Sequence, residues 1–486
     1  MDEFDEFSEH REARMPGQRL GEWVRGNRMV ILYGVLLIAV MFSRGLWGPD
    51  ERWMADLTHD LLERGKWLPS ASGATLPGEP SIMYLWLTKL PAMLAMLAGL
   101  VGHMGGASAP EYPAWPLRIP SVLSSILFLY FFRRWASRFL QSDVAGLAML
   151  ILCATPLWFW QSQAIQVDLL FSAMLGWSWL CWLAGYLLLR HPVDGSEDEH
   201  QSWFRWSNLW LGFAFFMKGP LPLLLSALLL FLFLVWQKDL KALKETFLNP
   251  GFVILLLLVI SGFTFGLVAV PNFHSLMQGF SQVQPIWMYA EYLVQDLFPW
   301  VILLPALIVF LRGSGAHKAP IVRFLVIAFL VPFSISIWGN GTRGTDPLVA
   351  YPFLALLLAG LLQPVHVEGV SAARIRRIGA ILAVALWLAS LAFFAVSIIR
   401  QGGPEIQGLV TPMLGSLRLS TLVLTMGALS VSVRCASGEG EFLVRETAAT
   451  VYVVLFIIGT WGFHGLDAKM RNRILVNGQN GLQVAK

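Results

Sequence analysis

Long apolar runs separated by short polar links dominate this chain and limit what it can fold into. Fourteen such runs, each of 14 to 22 residues, occur between residues 29 and 465. A helix of about 20 apolar residues spans the hydrocarbon core of a bilayer. With 56% hydrophobic and only 14% charged residues, the chain also carries too much apolar surface for a soluble domain. The sequence therefore predicts an all-α integral membrane protein.

The placement of Lys and Arg predicts the orientation of these runs. Five arginines before residue 29 place the N-terminus in the cytoplasm, because basic residues accumulate on that side of a membrane. If all fourteen runs crossed, the later basic clusters, beginning with the three arginines in 133–138, would lie outside. They all become cytoplasmic if run 82–101, interrupted by Lys89 and Pro91, lies at the outer interface or re-enters. We therefore predict thirteen transmembrane helices, with amphipathic interfacial helices in the first outer loop.

This topology divides the chain into three parts. Residues 1–28 form a cytoplasmic N-terminal tail, and residues 29–365 form a transmembrane core with a polar outer loop over 48–118. Residues 366–486 add C-terminal transmembrane helices and a short tail. The net charge of +4 gives no indication of nucleic-acid binding, since the basic residues are explained by membrane topology.

An adjacent acid pair follows the first apolar run. Asp50 and Glu51 come directly after Gly48–Pro49, a pair that we expect to end the first helix. A charge at membrane depth costs roughly 2.5 to 3.5 kcal/mol and calls for a partner or a function. The alternative is that these acids are a solvated N-terminal cap of a helix over 52–63, where they would complement its dipole.

A second acid stands where a polar link meets a long apolar run. Asp168 is the only charged residue between Asp143 and Arg190. It is either an N-cap or a carboxylate that faces a polar cavity beside a lipid head group. The topology places Asp168 on the same outer face as Asp50.

Two cations and an aromatic segment also fall on the outer face. Lys218, in a tight Lys-Gly-Pro turn, could snorkel to the interface or bind a phosphate. Arg343 lies in a glycine-rich loop that is either a flexible connection or a second phosphate site. The segment 284–300 combines aromatic residues with Glu291 and Asp296. Its rings could be interfacial anchors or could stack on a sugar.

Several short motifs follow one another in a fixed order. They are the acid pair, a helix ending in "GKWLP", the loop "GEPSIMYLWL", "RIPSVLSS" with "FFRRWASRFL", an aspartate that opens a later run, and "KGPLPLLL". In this order they resemble the family-C glycosyltransferases of the protein mannosyltransferase and lipid A aminoarabinose transferase type. The resemblance is strongest over 46–225 and continues more weakly over 284–360.

The resemblance implies a multi-spanning inverting enzyme of the bacterial inner membrane. Such an enzyme takes a sugar from a polyprenyl-phosphate carrier and transfers it to an envelope lipid, glycan or protein on the periplasmic side. Asp50 matches the family's catalytic aspartate, with Glu51 beside it and Asp168 at the second acidic position. The predicted substrate-binding residues are Arg52, Glu79, Tyr84, Lys218 and Arg343, and the resemblance places Lys218 in the family's Lys-Gly turn.

The chain departs from the family pattern at two places. Trp53 stands where the family usually has an arginine, with Arg52 one position earlier. The loop reads Glu79-Pro80-Ser81 where the family usually has Lys-Pro-Pro, so a phosphate-binding lysine is absent from its expected place.

The chemistry implied by the resemblance suits these side chains. Polyprenyl phosphate is a good leaving group, so the reaction needs a base for the acceptor and cations for the phosphate. We predict Asp50 as the base or acceptor-orienting group, Glu51 and Asp168 as supporting acids, and Lys218 and Arg343 as phosphate partners. Acids around a phosphate could also bind Mg²⁺ or Mn²⁺, although carboxylates without His or a tight spacing are a weak signal for a metal.

Two other classes of protein compete with a transferase. A transporter or lipid flippase of envelope biogenesis would also have many spans and intramembrane acids, but transporters often show internal repeats, and none is visible in this sequence. A catalytically inactive scaffold of envelope assembly is the third hypothesis. The presence of both aspartates argues against the scaffold, whereas Glu79 in place of the family's lysine keeps it open.

Overall fold

The structure, a computed structural model, describes the chain in segments. These are residues 16–43, 45–46, 48–63, 65, 67, 82–97, 114–191, 199–239, 242, 245–246, 250–269, 286–313, 318–338, 346–362, 372–398, 404–435 and 440–462. Within these segments the chain forms helices and turns and no β-strand. The predicted all-α class is confirmed.

Nearly all described residues lie in helices. The first eight are α1 (Pro16–Met41), α2 (Gly48–Glu63), α3 (Ile82–Leu97), α4 (Trp115–Ala136), α5 (Ser142–Cys153), α6 (Pro156–Gln161), α7 (Asp168–Arg190) and α8 (Glu199–Lys218). The others are α9 (Leu221–Gln237), α10 (Pro250–Ala269), α11 (Ile286–Leu297), α12 (Leu304–Gly313), α13 (Pro320–Trp338), α14 (Tyr351–Leu362), α15 (Ala372–Ile398), α16 (Pro404–Cys435) and α17 (Gly440–Ile457). Short 3₁₀ turns precede α12 and α14, and a π turn follows α17.

The apolar helices match the predicted membrane crossings closely. Five helices are long and apolar enough to span a bilayer: Trp115–Ala136, Asp168–Arg190, Arg376–Val396, Met413–Cys435 and Phe442–Gly462. The shorter apolar helices are Arg28–Met41, Ser142–Cys153, Leu221–Gln237, Pro250–Thr264, Trp300–Arg312, Pro320–Ile335 and Pro347–Leu361. Together they correspond to twelve of the thirteen predicted spans, five long and seven short. The chain is a multi-span membrane protein, and the number thirteen stays a prediction.

Two segments decide how many helices cross the membrane in addition to these twelve. The predicted span 203–217 lies in α8, whose N-terminal half is more polar than the other crossings. Helix α3, which we place at the outer interface, is not among the apolar helices found in the described part of the chain. Its interfacial position stays a prediction.

Helix α7 lies at the centre of the bundle. Its side chains from residue 168 to residue 186 are all buried, as expected for a helix surrounded by other helices. Glycines let its neighbours approach closely. A Cβ at Gly176 would lie 2.9 Å from the ring of Phe128 in α4, and one at Gly185 would lie 2.9 Å from the ring of Phe204 in α8. Helix α7 therefore packs closely against α4 in its middle and against α8 near its end.

The last three helices, α15 to α17, pack on one another and return to the start of the chain. The Tyr452 hydroxyl of α17 donates a hydrogen bond to the carbonyl oxygen of Tyr33 in α1 over 3.2 Å. Large apolar side chains on the outside of these helices, such as Leu388 and Met426, are exposed. In a bilayer this surface faces lipid.

Candidate functional site

Helix α2 begins earlier than the sequence predicts. It starts at Gly48, and the first long helix already ends at Met41. Pro49 suits the first turn of a helix, because its fixed φ is helical and its missing N–H would have had no intrahelical partner. The prediction that Gly48–Pro49 end the first helix is therefore wrong. Asp50 and Glu51 lie in the first turn of α2, and the Asp50 side chain is outside the described part of the structure.

Glu51 forms a buried ion pair with Arg118 of α4. Arg118 Nη2 lies 3.3 Å from Glu51 Oε2, and the residues are 0% and 4% exposed. The same guanidinium donates to the carbonyl oxygens of Gly45, at 2.7 Å, and Met41, at 3.4 Å. A cation beside the last carbonyls of α1 also complements the dipole of that helix. The interpretation of Glu51 as a solvated cap is wrong, because Arg118 takes it out of water.

A polar stripe on α4 holds the link between α6 and α7. Arg118, Ser121 and Ser125 lie three and four residues apart, which places them on one side of the helix. Ser121 Oγ donates to the carbonyl oxygen of Ala164 over 2.7 Å. Ser162 Oγ donates to Ser125 Oγ over 2.8 Å. These hydrogen bonds fix the backbone of 162–167, the segment that leads into α7.

The same link connects the two acidic positions. The backbone N–H of Ile165 donates to Glu51 Oε1 over 3.2 Å. Asp168 follows three residues later and opens α7. Helix α2 and the start of α7 are thus joined by one carboxylate. That both lie on the outer face of the membrane stays a prediction.

Asp168 pairs with Lys218, and both side chains are largely buried. The cap position of α7 is Val167, which has no side-chain cap, so Asp168 is not the N-cap that the sequence offered as an alternative. As the first residue of α7 its carboxylate is still stabilised by the helix dipole. Lys218 is the last residue of α8, and its ammonium also lies 5.1 Å from the centroid of the Phe171 ring.

The Lys-Gly-Pro turn has a simple local cause. Gly219 has a φ of +59°, the left-handed conformation that glycine adopts at low cost just beyond a helix. Its N–H donates to the carbonyl oxygen of Phe215 over 2.8 Å, which closes the last turn of α8. Pro220 then begins the next helix at its N-cap. The turn holds Lys218 toward Asp168, so simple snorkelling does not describe this lysine.

Tyr84 of α3 lies between the two ion pairs. Its hydroxyl is 3.1 Å from Ser121 Oγ, and the residue is fully buried. Burial raises the pKa of Tyr84, and the carboxylates of Glu51 and Asp168 raise it further, which places its hydroxyl within electrostatic reach of both. The hydrogen bond between Tyr84 and Ser121 lowers the pKa in part. Tyr84 therefore stays a neutral hydroxyl between two acids.

The other predicted site residues are placed less fully. Arg52 is half-buried in α2. Burial raises the pKa of Asp56, and the nearby charge of Arg52 offsets part of this rise. Glu79 and Arg343 lie outside the described residues, as does the side chain of Asp50. The structure thus brings together Glu51, Tyr84, Asp168 and Lys218.

The acids of the site are the candidate ligands for the predicted Mg²⁺ or Mn²⁺. In the described segments no group of three or more His, Cys, Asp or Glu side chains could hold a metal ion. Glu51 and Asp168 are already neutralised by Arg118 and Lys218. Paired in this way, these two acids do not fit a divalent cation.

Sequence reasoning missed Arg118 and Ser121. Both lie in "RIPSVLSS", a motif used only for its order along the chain. The available signal was a charge at the start of an apolar run, which needs a partner, followed by serines on the same helix face.

Comparisons with known proteins match this part of the chain. The family model described as dolichyl-phosphate-mannose-protein mannosyltransferase matches residues 105–264, which include Arg118, Asp168 and Lys218. An undecaprenyl phosphate-alpha-4-amino-4-deoxy-L-arabinose arabinosyl transferase of Shewanella sediminis is 21% identical over 343 residues, covering 68% of this chain and 58% of that protein. Its counterpart from Pseudomonas fluorescens is 25% identical over 376 residues, covering 72% and 57%. The chain thus spans less than two thirds of the length of these relatives.

Two solved structures of ArnT from Cupriavidus metallidurans have a similar fold. The apo structure has a TM-score of 0.69 at 18% identity and covers 91% of this chain and 78% of that one. The structure bound to undecaprenyl phosphate has a TM-score of 0.69 at 17% identity and covers 90% and 78%. The chain therefore has the fold of ArnT, and the resemblance to the protein mannosyltransferase and lipid A aminoarabinose transferase type of glycosyltransferase, drawn from its motifs, is confirmed by these comparisons.

Proposed function

We propose that this chain is a glycosyltransferase that moves a sugar from a polyprenyl-phosphate carrier to a cell-envelope acceptor. The observation that carries the proposal is the joining of Glu51–Arg118 and Asp168–Lys218 by the link 162–167. The chain has the fold of a protein whose structure was solved with bound undecaprenyl phosphate. The relatives are named as arabinosyl transferases that use undecaprenyl phosphate-linked aminoarabinose. Acceptors that suit this class are lipid A, another envelope glycan or a protein hydroxyl.

The proposed location follows from the basic residues of the loops. With the N-terminus in the cytoplasm, Asp50, Asp168 and Lys218 face the periplasmic side of a bacterial inner membrane. A polyprenyl carrier in the same bilayer would present its phosphate and sugar at this depth. Both ion pairs would then lie beside the reacting groups.

The proposed reaction is a direct displacement at the anomeric carbon. An acceptor oxygen forms a bond to that carbon from one face, while the bond to the carrier phosphate breaks on the other and inverts the centre. The bonding electrons leave with the polyprenyl phosphate. The acceptor proton passes to a carboxylate, for which Asp50 is the candidate because it matches the family's catalytic position. If the acceptor is an ionised phosphate, Asp50 orients it and receives no proton.

The carrier phosphate gains charge as its bond to the sugar breaks, so fixed cations beside it lower the barrier. Lys218 is the described candidate, because an ammonium has three N–H donors and can serve Asp168 and a phosphate oxygen together. Arg343 and Arg52 are proposed as further partners, with Glu79 in the adjoining loop. Glu51 acts indirectly, because it fixes the link that presents Asp168.

Tyr84 has a different proposed role. Its hydroxyl stays protonated and lies within electrostatic reach of Glu51 and Asp168, so it is proposed to bind substrate by exchanging its hydrogen bond to Ser121 for one to a sugar or phosphate oxygen. A divalent cation, Mg²⁺ or Mn²⁺, stays a prediction. Loss of transfer in EDTA that either metal restores would support it.

Mass spectrometry of envelope lipids and glycans, with and without the protein, tests the proposal and names the acceptor. Loss of a sugar mass increment from one lipid or glycan class is the expected result. Transfer by purified protein in liposomes with a polyprenyl-phosphate sugar would then establish a direct reaction. An unchanged envelope together with movement of the carrier across the liposome membrane would favour a flippase and overturn the transferase.

A further inference from the structure

Helix α9 ends in a group of basic and aromatic side chains outside the candidate functional site. Arg323, in the first turn of α13, donates from Nη1 to Gln237 Oε1 over 3.1 Å and to the carbonyl oxygen of Trp236 over 3.4 Å. Its Cζ lies 5.5 Å from the centroid of the Trp236 ring. Both acceptors are neutral groups, so neither of them cancels the charge of the guanidinium. We call Trp236, Lys238 and Arg323 the basic corner.

Lys238 adds a second cation to the basic corner. It follows α9 with a φ of +56°, and in the described segments it is the only non-glycine residue with a positive φ. Glycine would adopt this left-handed conformation at lower cost, so the turn alone does not require a lysine. The adjacent acid, Asp239, is ion-paired with Arg190 and accepts a hydrogen bond from the Tyr186 hydroxyl over 3.2 Å. Asp239 is therefore already neutralised, and Lys238 is exposed.

The basic corner lies at the end of the helix bundle opposite to the Asp168–Lys218 pair. Asp168 is the first residue of α7 and Arg190 is its last. At roughly 1.5 Å per residue, the 23 residues of α7 separate them by about 33 Å. The ion pair between Arg190 and Asp239 brings the end of α9 to this opposite end. Because Asp168 is predicted to face the periplasm, the basic corner is predicted to lie at the cytoplasmic leaflet.

An exposed apolar strip on α9 leads to the basic corner. Leu224, Phe231 and Val235 lie seven and four residues apart, which places them on one side of the helix, and all three are exposed. Trp236, the next residue, is also exposed. Tryptophan rings of membrane proteins are enriched at the level of the lipid head groups. The strip therefore suits an acyl chain, and the basic corner lies where the head group of the same lipid would be.

We infer that the basic corner binds the phosphate of an anionic phospholipid of the cytoplasmic leaflet, with an acyl chain along the strip on α9. A phospholipid phosphate carries a negative charge and only accepts hydrogen bonds, which suits the N–H donors of Arg323 and Lys238. The dipole at the start of α13 favours the same charge. Basic residues between transmembrane helices on the cytoplasmic side bind such head groups. The inference goes beyond the proposed function and does not depend on it.

The test measures lipid binding to the purified full-length protein in detergent by native mass spectrometry. Phosphatidylglycerol is compared with phosphatidylcholine of the same acyl chains, and glycerol 3-phosphate presents a phosphate without acyl chains. Each probe is titrated into wild type, Lys238→Gly and Arg323→Gln. Arg134→Gln is the matched control, because Arg134 is an exposed arginine in the last turn of α4.

Wild type is expected to bind phosphatidylglycerol more tightly than phosphatidylcholine and far more tightly than glycerol 3-phosphate. Lys238→Gly and Arg323→Gln should each weaken phosphatidylglycerol binding about fivefold, the contribution of one basic residue beside an anionic membrane surface. Arg134→Gln should leave this affinity unchanged. Lys238→Gly should also keep or raise the thermal unfolding midpoint, because glycine suits the φ of +56°. A purely structural role of Lys238 predicts no loss of lipid affinity in this variant.

Three results would overturn the inference. The first is equal wild-type affinity for the two lipids. The second is a phosphatidylglycerol affinity of Lys238→Gly equal to that of Arg134→Gln, and this comparison decides even if Arg323→Gln does not fold. The third is binding of glycerol 3-phosphate as tight as that of phosphatidylglycerol, which would indicate a site for a free anion.

Discussion

The backbone N–H of Ile165 donates to Glu51 Oε1 over 3.2 Å and ties α2 to the link that leads into α7. The hydrogen bond joins two parts of the chain that are 114 residues apart. It depends on Arg118, which holds the carboxylate from the other side. The position of Asp168 is therefore set by an acid in α2 and a base in α4.

Arg118→Met should strongly destabilise the protein. Removing one partner of a buried ion pair leaves the Glu51 carboxylate uncompensated, which costs about 3 to 5 kcal/mol. Thermal unfolding in detergent measures the loss. Adding Glu51→Gln to Arg118→Met should restore part of the stability, because the buried charge is then gone.

Arg138→Met is the matched control, since Arg138 follows the same helix and its side chain is 56% exposed. It should change the free energy of unfolding by at most about 1 kcal/mol. An Arg118→Met protein as stable as this control would contradict the importance of the Glu51–Arg118 pair.

Lys218→Met and Asp168→Asn should not have additive effects on transfer. The two side chains are ion-paired, and groups in direct contact usually couple by about 0.5 to 3 kcal/mol. Each single variant should lower kcat/KM, with Lys218→Met raising the KM for the lipid-linked donor. A double-mutant cycle in kcat/KM measures the coupling, and strictly additive losses would show that the pair does not act as a unit.

Gly219→Ala should destabilise the turn that holds Lys218. Its φ of +59° suits glycine, and an L side chain there costs about 1 to 2 kcal/mol. Thermal unfolding should show a lower midpoint, and the donor KM should rise as Lys218 shifts. Gly146→Ala is the control, because a Cβ there meets no atom within 4 Å in a regular helix. Gly146→Ala should be neutral or stabilising. Equal destabilisation by the two substitutions would contradict the importance of the left-handed turn at Gly219.

Stability should fall as pH rises through 7 because of Asp296. Burial raises its folded-state pKa to about 7 from the ordinary 3.8. Between these values the folded protein binds more protons than the unfolded chain, so the stabilising contribution present at low pH is lost as pH passes 7. Unfolding midpoints from pH 5 to pH 8, without donor, test this. Asp296→Asn should flatten the dependence of the unfolding midpoint on pH. Identical pH profiles for wild type and Asp296→Asn would refute the raised pKa of Asp296.

The membrane class and most crossings follow from the sequence, because a bilayer imposes a length and an apolar composition that can be read directly. The proximity of Glu51 and Asp168 could also be predicted, because the basic loops indicate that both positions lie on one side of the membrane. The start of α2 could not be predicted, because a proline such as Pro49 can follow the end of one helix or begin the next. Only the packing shows that α1 has already ended at Met41.

The partners of the acids could not be predicted, because they depend on helix packing. Glu51 could be a solvated cap in the sequence, and its burial comes from the approach of α4 and Arg118. Asp296 was recognised only as part of an aromatic segment. Its hydrogen-bond partner, Tyr351, is brought to it by α14.

The account is tested most directly by transfer from a polyprenyl-phosphate-linked sugar to envelope acceptors in liposomes containing the purified protein. Asp50→Asn and Asp168→Asn should each lower the rate by at least about 100-fold, the scale expected for a group that acts in the transition state. Asp143→Asn is the control, because Asp143 is an exposed acid in the first turn of α5, and it should keep wild-type activity. Full transfer by both Asp50→Asn and Asp168→Asn would contradict the site.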